Sequence, residues 1–205
     1  MLLRSLSVTL LCSVLLAASA QDAPHARYVF HEDTVPREHP VDMQRAVVEV
    51  RFEPEAGRVI GRVTHYFAVL RDRVDSLFLD GPGIVITKAT LNGTPIRYRT
   101  TDDGLWLHPS TPLRHAERSA VELEYTATPD RGIYFIGWND TLHQARKQIW
   151  TQGQALDNRY WIPCYDNPND KLITETIVHM AEGYRVLSNG VKLSEKRNTD
   201  GTVTW

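Results

Sequence analysis

Zinc chemistry needs imidazoles or thiolates at spacings that let them converge, and the eight histidines of this chain are the first residues to weigh against that requirement. His31-Glu32 opens like the helical motif H-E-x-x-H, but Val35 stands where the second imidazole belongs. His25, His39, His65, His108, His115, His143 and His179 show no i, i+2 or i, i+4 pairing, so spacing yields no metal site. Cys164 is a second candidate, because a thiolate with His143 or His179 as its base would be a nucleophile. It lies between Pro163 and Tyr165 with no helix start to lower its pKa, which favours a buried, inert thiol. Arg159, Asp166, Asp170 and Lys171 crowd a proline-bounded loop. Cations interleaved with carboxylates suit ion pairs that lock the loop better than they suit acid and base work.

The run Trp150-Thr151-Gln152-Gly153-Gln154 offers different chemistry. On an extended chain alternate residues share a face, so Gln152 and Gln154 project side by side while Gly153 leaves the opposite face bare. Each carboxamide carries one acceptor oxygen and two donors, a set that can hold a peptide's terminal amine beside a carbonyl or carboxylate. Two solvated glutamines on an edge strand fit the same pattern.

These residues must be positioned by strands. Short runs rich in Val, Ile, Thr, Tyr and Phe occur at 41–52, 58–69, 76–80, 84–91, 96–100, 105–107, 120–126 and 133–136, separated by turn residues such as Asn92-Gly93 and Asp102-Asp103-Gly104. Further strands are expected at 148–151, 172–180, 184–187 and from 202 onward, with a loop at 160–170 and a turn at Ser188-Asn189-Gly190. No helical stripe of ten residues exists; the best helical candidate, 140–147, is short. The fold class is therefore all-β, a sandwich or barrel. Asn92-Gly93-Thr94 and Asn139-Asp140-Thr141 match the glycosylation acceptor, but Asn92-Gly93 reads first as a hairpin turn.

The composition of the 205 residues, 42% hydrophobic and 23% charged, is that of an ordinary globular chain. A formal charge of -2 gives no basic excess for nucleic acid. Arg4, the apolar run at 6–18 and Ala18-Ser19-Ala20 form a secretory signal over residues 1–20, too short an apolar run to anchor in a bilayer. Cys12 leaves with that signal, so the exported chain has no internal disulfide. Residues 21–40 read as a flexible leader and 41–205 as the β domain, periplasmic or extracellular and not inserted in a membrane. The strand opening at 202 suggests that the domain is C-terminally incomplete here.

The stretch from Trp150 to Glu175 resembles the aminopeptidase-N family of zinc metallopeptidases, peptidase family M1. It carries that family's Gln-Gly-Glu-like strand (Gln152, Gly153, Gln154), then Arg159, Trp161, Pro163, Asp166, Pro168, Lys171 and the later Ser188-Asn189-Gly190 turn. Upstream, Val59-Ile60-Gly61, Leu77-Phe78-Leu79-Asp80 and Asn92-Gly93 follow the family's order.

The resemblance implies a saddle-like, mostly antiparallel N-terminal domain beside a separate thermolysin-like catalytic domain. It also implies that the residue matching Gln154 helps hold the substrate's free amine, with Gln152 lining the same cleft. Relatives often carry Glu where this chain has Gln154, so the charge-assisted part of amine binding is absent here. The family's Gly-x-Met-Glu-Asn strand, H-E-x-x-H helix and catalytic Tyr would lie beyond residue 205. Zinc is accordingly expected in that catalytic domain, with no cofactor in this chain, and the peptide N-terminus as its partner. A second reading from the residues is a stand-alone secreted β-sandwich binding module without peptidase activity.

Overall fold

The computed structural model describes residues 37–142 and 144–205. The expected signal at 1–20, most of the expected leader, and His143 lie outside the described residues. In chain order the strands are β1 Val41–Glu53, β2 Arg58–Val69, β3 Arg73–Val74, β4 Leu77–Asp80, β5 Val85–Leu91, β6 Thr94–Pro95, β7 Arg97–Thr100, β8 Gly104–His108, β9 Leu113–Arg114, β10 Arg118–Ala127, β11 Ile133–Ile136, β12 Gln148–Thr151, β13 Ile173–Ala181, β14 Lys196–Arg197 and β15 Thr202–Thr204. The all-β expectation holds, with mostly antiparallel pairing in an eight-stranded sheet ordered β14-β15-β13-β1-β2-β10-β5-β6.

Alternation along the strands explains which faces meet. On β2, Val59, Gly61, Val63, His65, Phe67 and Val69 are all buried, the period-two face legible in the sequence. On β1 the buried set changes parity, from Val41 and Met43 to Ala46, Val48 and Val50, because a bulge between Met43 and Arg45 inserts one residue. The inner face of the large sheet packs against the small sheet β4-β8-β7, whose Leu77, Leu79, Leu105 and Leu107 join Val63, Phe67, Leu123 and Tyr125 in one core. Gly61 lies opposite Tyr125 on β10, and the phenol ring covers it so closely that a β-carbon there would stand 2.3 Å from Cζ.

Among the described residues one pairing is parallel: β13 runs beside β1, with Val50 opposite Val178. His179 on β13 ties three strands together, its Nε2 bonding Glu49 on β1 at 2.9 Å and its Nδ1 bonding the Thr204 hydroxyl on β15 at 2.9 Å. Asn92 and Gly93, with φ of 50° and 79°, make the two-residue turn between β5 and β6, and the Asn92 carboxamide is occupied by Ala120 N–H and the Ser119 hydroxyl.

Two expected elements are corrected. Residues 184–187 form no ladder. The turn after β13, with Gly183 at φ 98°, leads the chain off the sheet, where Tyr184 stacks on Trp138 at 5.4 Å and Val186 packs by its side chain. The described part of 140–147 is not helical, because the Asp140 carboxylate accepts the backbone N–H groups of Leu142, Gln144 and Ala145 and closes a turn instead. No helix among the described residues is long and apolar enough to cross a membrane.

Candidate functional site

The hairpin β11–β12 presents the Gln152–Gln154 pair. Its inner face (Ile133, Phe135, Ile149) packs on the core, with Phe135 edge-on to Phe52 at 6.0 Å. Its outer face carries Tyr134 opposite Trp150, stacked at 4.6 Å. The ladder continues past β12, since Gln152 N–H donates to the Gly132 carbonyl at 2.9 Å, so Gln152 falls on the outer face, in line with Trp150. The two amides are indeed side by side: Gln152 Nε2 donates to Gln154 Oε1 at 3.2 Å, and both residues are exposed. The pair therefore keeps Gln152 Oε1 and one lone pair of Gln154 Oε1 free to accept, and the Gln154 amide hydrogens free to donate.

Glycines fix this backbone. The face of Gly153 expected to be bare is filled by Asn158, whose Oδ1 would lie 2.4 Å from a β-carbon at 153. Gly132, at φ 82°, lets the chain cross so closely that a β-carbon there would meet the Asp157 carbonyl at 2.0 Å. Asn158 opens the 3-10 turn Asn158–Tyr160, and its carbonyl accepts from Trp161 and Ile162 N–H.

The charged loop is locked as expected, but through a partner the sequence reading did not single out. Asp80, buried at the end of β4, receives Arg159 at 3.2 Å, Arg37 at 2.5 Å and the Asp166 N–H at 3.0 Å. Arg159 also reaches Asp166 through Nε at 3.3 Å and its carbonyl at 2.9 Å. Arg37 lies between the rings of Phe78 and Tyr165, 5.1 and 4.5 Å from their centroids. Asp170 accepts the Met43 N–H at 2.8 Å and lies 2.7 Å from His39 Nε2, rather than pairing with Lys171. An acid closing an otherwise apolar strand, Leu77-Phe78-Leu79-Asp80, is the signal that would have pointed to Asp80.

Cys164 exchanges both backbone hydrogen bonds with Asp80. Part of the residue remains accessible, yet the thiol is enclosed, and burial together with Asp166 and Asp80 raises its pKa well above the ordinary value. That is the inert thiol anticipated, not a nucleophile. His65 was missed as a loop anchor: wholly buried, it bonds the Pro163 carbonyl through Nε2 at 2.8 Å, while Nδ1 has no partner. Burial lowers its pKa below 6.5, the Pro163 bond opposing the shift. Among the described residues no three His, Cys, Asp or Glu side chains converge on a point where a metal ion could sit.

Residues 40–205 match the family described as the peptidase M1 N-terminal domain, and the chain belongs to that family. Its relatives are aminopeptidases. It is 32% identical over 73 residues to aminopeptidase B of Rattus norvegicus, covering 36% of this chain and 11% of that one. It is 28% identical over 131 residues to leucyl aminopeptidase of Saccharolobus solfataricus, covering 63% and 16%. Among solved structures, the M1 zinc metallopeptidase from Deinococcus radiodurans superposes with a TM-score of 0.69 at 19% identity, over 81% of this chain and 38% of that one. A mutant two-domain M1 zinc metallopeptidase bound to L-tryptophan superposes with a TM-score of 0.69 at 18% identity, over 82% and 39%. The chain thus spans less than a fifth of the length of these curated relatives.

Proposed function

We propose that this domain recognises the free amine of peptide substrates in an exported zinc aminopeptidase, periplasmic or extracellular, whose catalytic domain follows residue 205. The observation that carries the reading is the hydrogen-bonded Gln152–Gln154 pair, held on the outer face of the β12 run by Gly153 against Asn158. An ammonium donates to Gln152 Oε1 and to the remaining lone pair of Gln154 Oε1, while the Gln154 amide donates to a substrate carbonyl. With neutral amides the recognition is by hydrogen-bond geometry and lacks the attraction a carboxylate would add. The His, Cys, Asp and Glu side chains described here do not fit a zinc ion, so no hydrolytic step is derived through one; in this reading the metal's ligands belong to the catalytic domain.

Gln154→Ala in the full-length protein tests the assignment. Losing one hydrogen bond from the substrate ammonium to a neutral carboxamide corresponds to about a tenfold rise in KM for free-amine aminoacyl anilides, with kcat little changed. Unchanged KM in a folded variant overturns the role of Gln154.

A further inference from the structure

We propose that Trp150, backed by Tyr134, forms a subsite for a planar side chain, an aromatic ring or a guanidinium, on the first residue of the substrate. The proposal rests on the amine-binding reading of Gln152 and Gln154 and adds the side-chain class that accompanies the amine.

Trp150 and Gln152 are successive outward residues of one extended run, because the Gln152 N–H to Gly132 carbonyl bond continues the β11–β12 ladder by one step. Successive outward residues on a strand stand about 6.6 Å apart. A first-residue ring one methylene from the α-carbon that bears the amine spans that interval, and a guanidinium at the end of its flexible three-methylene arm folds back to it. The indole is placed to receive it. Trp150 is 46% exposed, a large apolar surface to leave open. One of its faces is covered by Tyr134 at 4.6 Å with the planes 24° apart, so the ring is braced rather than free to swing. Among the described residues that sheet consists of β11 and β12 alone, so none of its described strands lies on the side of Trp150 away from Tyr134. The open face of an indole attracts flat rings by offset stacking and guanidinium groups by its quadrupole. Aliphatic side chains gain contact area alone. The two groups of residues are therefore complementary: the amides fix the amine, and the aromatic ledge beside them sorts what hangs from the same α-carbon.

The test uses the full-length protein and aminoacyl anilides whose first residue is Phe, Tyr, Trp or Arg on one side and Ala or Leu on the other. Trp150→Leu lowers kcat/KM for the planar set by about threefold to tenfold while Ala and Leu substrates stay within about twofold. Trp150→Phe, which keeps a ring on the hairpin, retains most of the preference, and Tyr134→Leu weakens it in the same direction. An equal loss across the panel, or no loss, in Trp150→Leu overturns the proposal, as does a preference that survives Tyr134→Leu and Trp150→Leu alike. Gln154→Ala separates the two readings: it lowers all substrates together if the amides hold the amine. A selective Trp150 effect beside a silent Gln154→Ala leaves the ledge standing and removes the amine site.

Discussion

Replacing Gly61 by Ala gives a direct test of how the core is closed. A β-carbon at 61 would stand 2.3 Å from Tyr125 Cζ, 2.4 Å from its hydroxyl oxygen and 2.7 Å from Cε1, the Cζ contact alone more than 1 Å inside the roughly 3.5–4.0 Å contact distance of carbon atoms. The obstructing ring is 1% exposed and lies directly across the ladder from Gly61, so it has no open direction in which to yield. Overpacking of this kind costs about 3 kcal/mol, set against about 0.5–1 kcal/mol gained from the stiffer unfolded chain, for a net loss of about 2 kcal/mol. In a Tyr125→Leu background the clash is gone and the same Gly61→Ala change should stabilise by about 0.5–1 kcal/mol. The sign reversal amounts to a coupling of about 3 kcal/mol, read from urea midpoints at constant m across the four proteins of the cycle. Loss of stability of the same size in both backgrounds would refute the close approach of ring and glycine as the cause.

Acidification should weaken the fold through His65. Its folded pKa lies below 6.5, so the unfolded chain binds the proton first; stability is full above about pH 6.5 and falls as pH drops toward the folded pKa, by at most about 1.4 kcal/mol per unit. Urea midpoints of the protein and of His65→Leu, compared from roughly pH 7.5 to 5.5, should diverge, and parallel curves would remove His65 as the source. Gly132→Ala should cost about 2 kcal/mol or more and raise KM together with the loss, because φ of 82° and the Asp157 carbonyl both exclude a side chain where the Gln152 backbone is held; unchanged melting temperature and KM would contradict it.

What the sequence displayed was whatever is decided locally. The ranges 58–69, 133–136 and 148–151 coincide with β2, β11 and β12, because alternating apolar residues and flanking turn residues settle a strand within a dozen positions. The same local pattern at 184–187 misled, since a strand also needs a ladder partner, and the turn at Gly183 carries the chain away from one. His65 reads in sequence as an imidazole on an apolar face; its partner Pro163 is 98 residues away, and no spacing rule connects them. Asp80 is likewise explained by Arg37, Arg159 and the Asp166 N–H, which reach it from far upstream and far downstream in the chain. The amide pair lay at the boundary: period two put Gln152 and Gln154 on one face, while the filling of Gly153 by Asn158 and the stacking of Trp150 on Tyr134 depend on how separate segments cross.

The parallel pairing of β1 with β13 also determines when the fold can be completed. Glu49 and His179, which meet across it, are 130 residues apart in the chain. During synthesis β1 can pair with β2 almost at once, but its other edge keeps a row of unpaired backbone groups until 173–181 has emerged. Contacts of such sequence separation form slowly. Until then the sheet is half finished, with an open border along Val47, Val48 and Val50, the kind of unpaired edge that another chain can join.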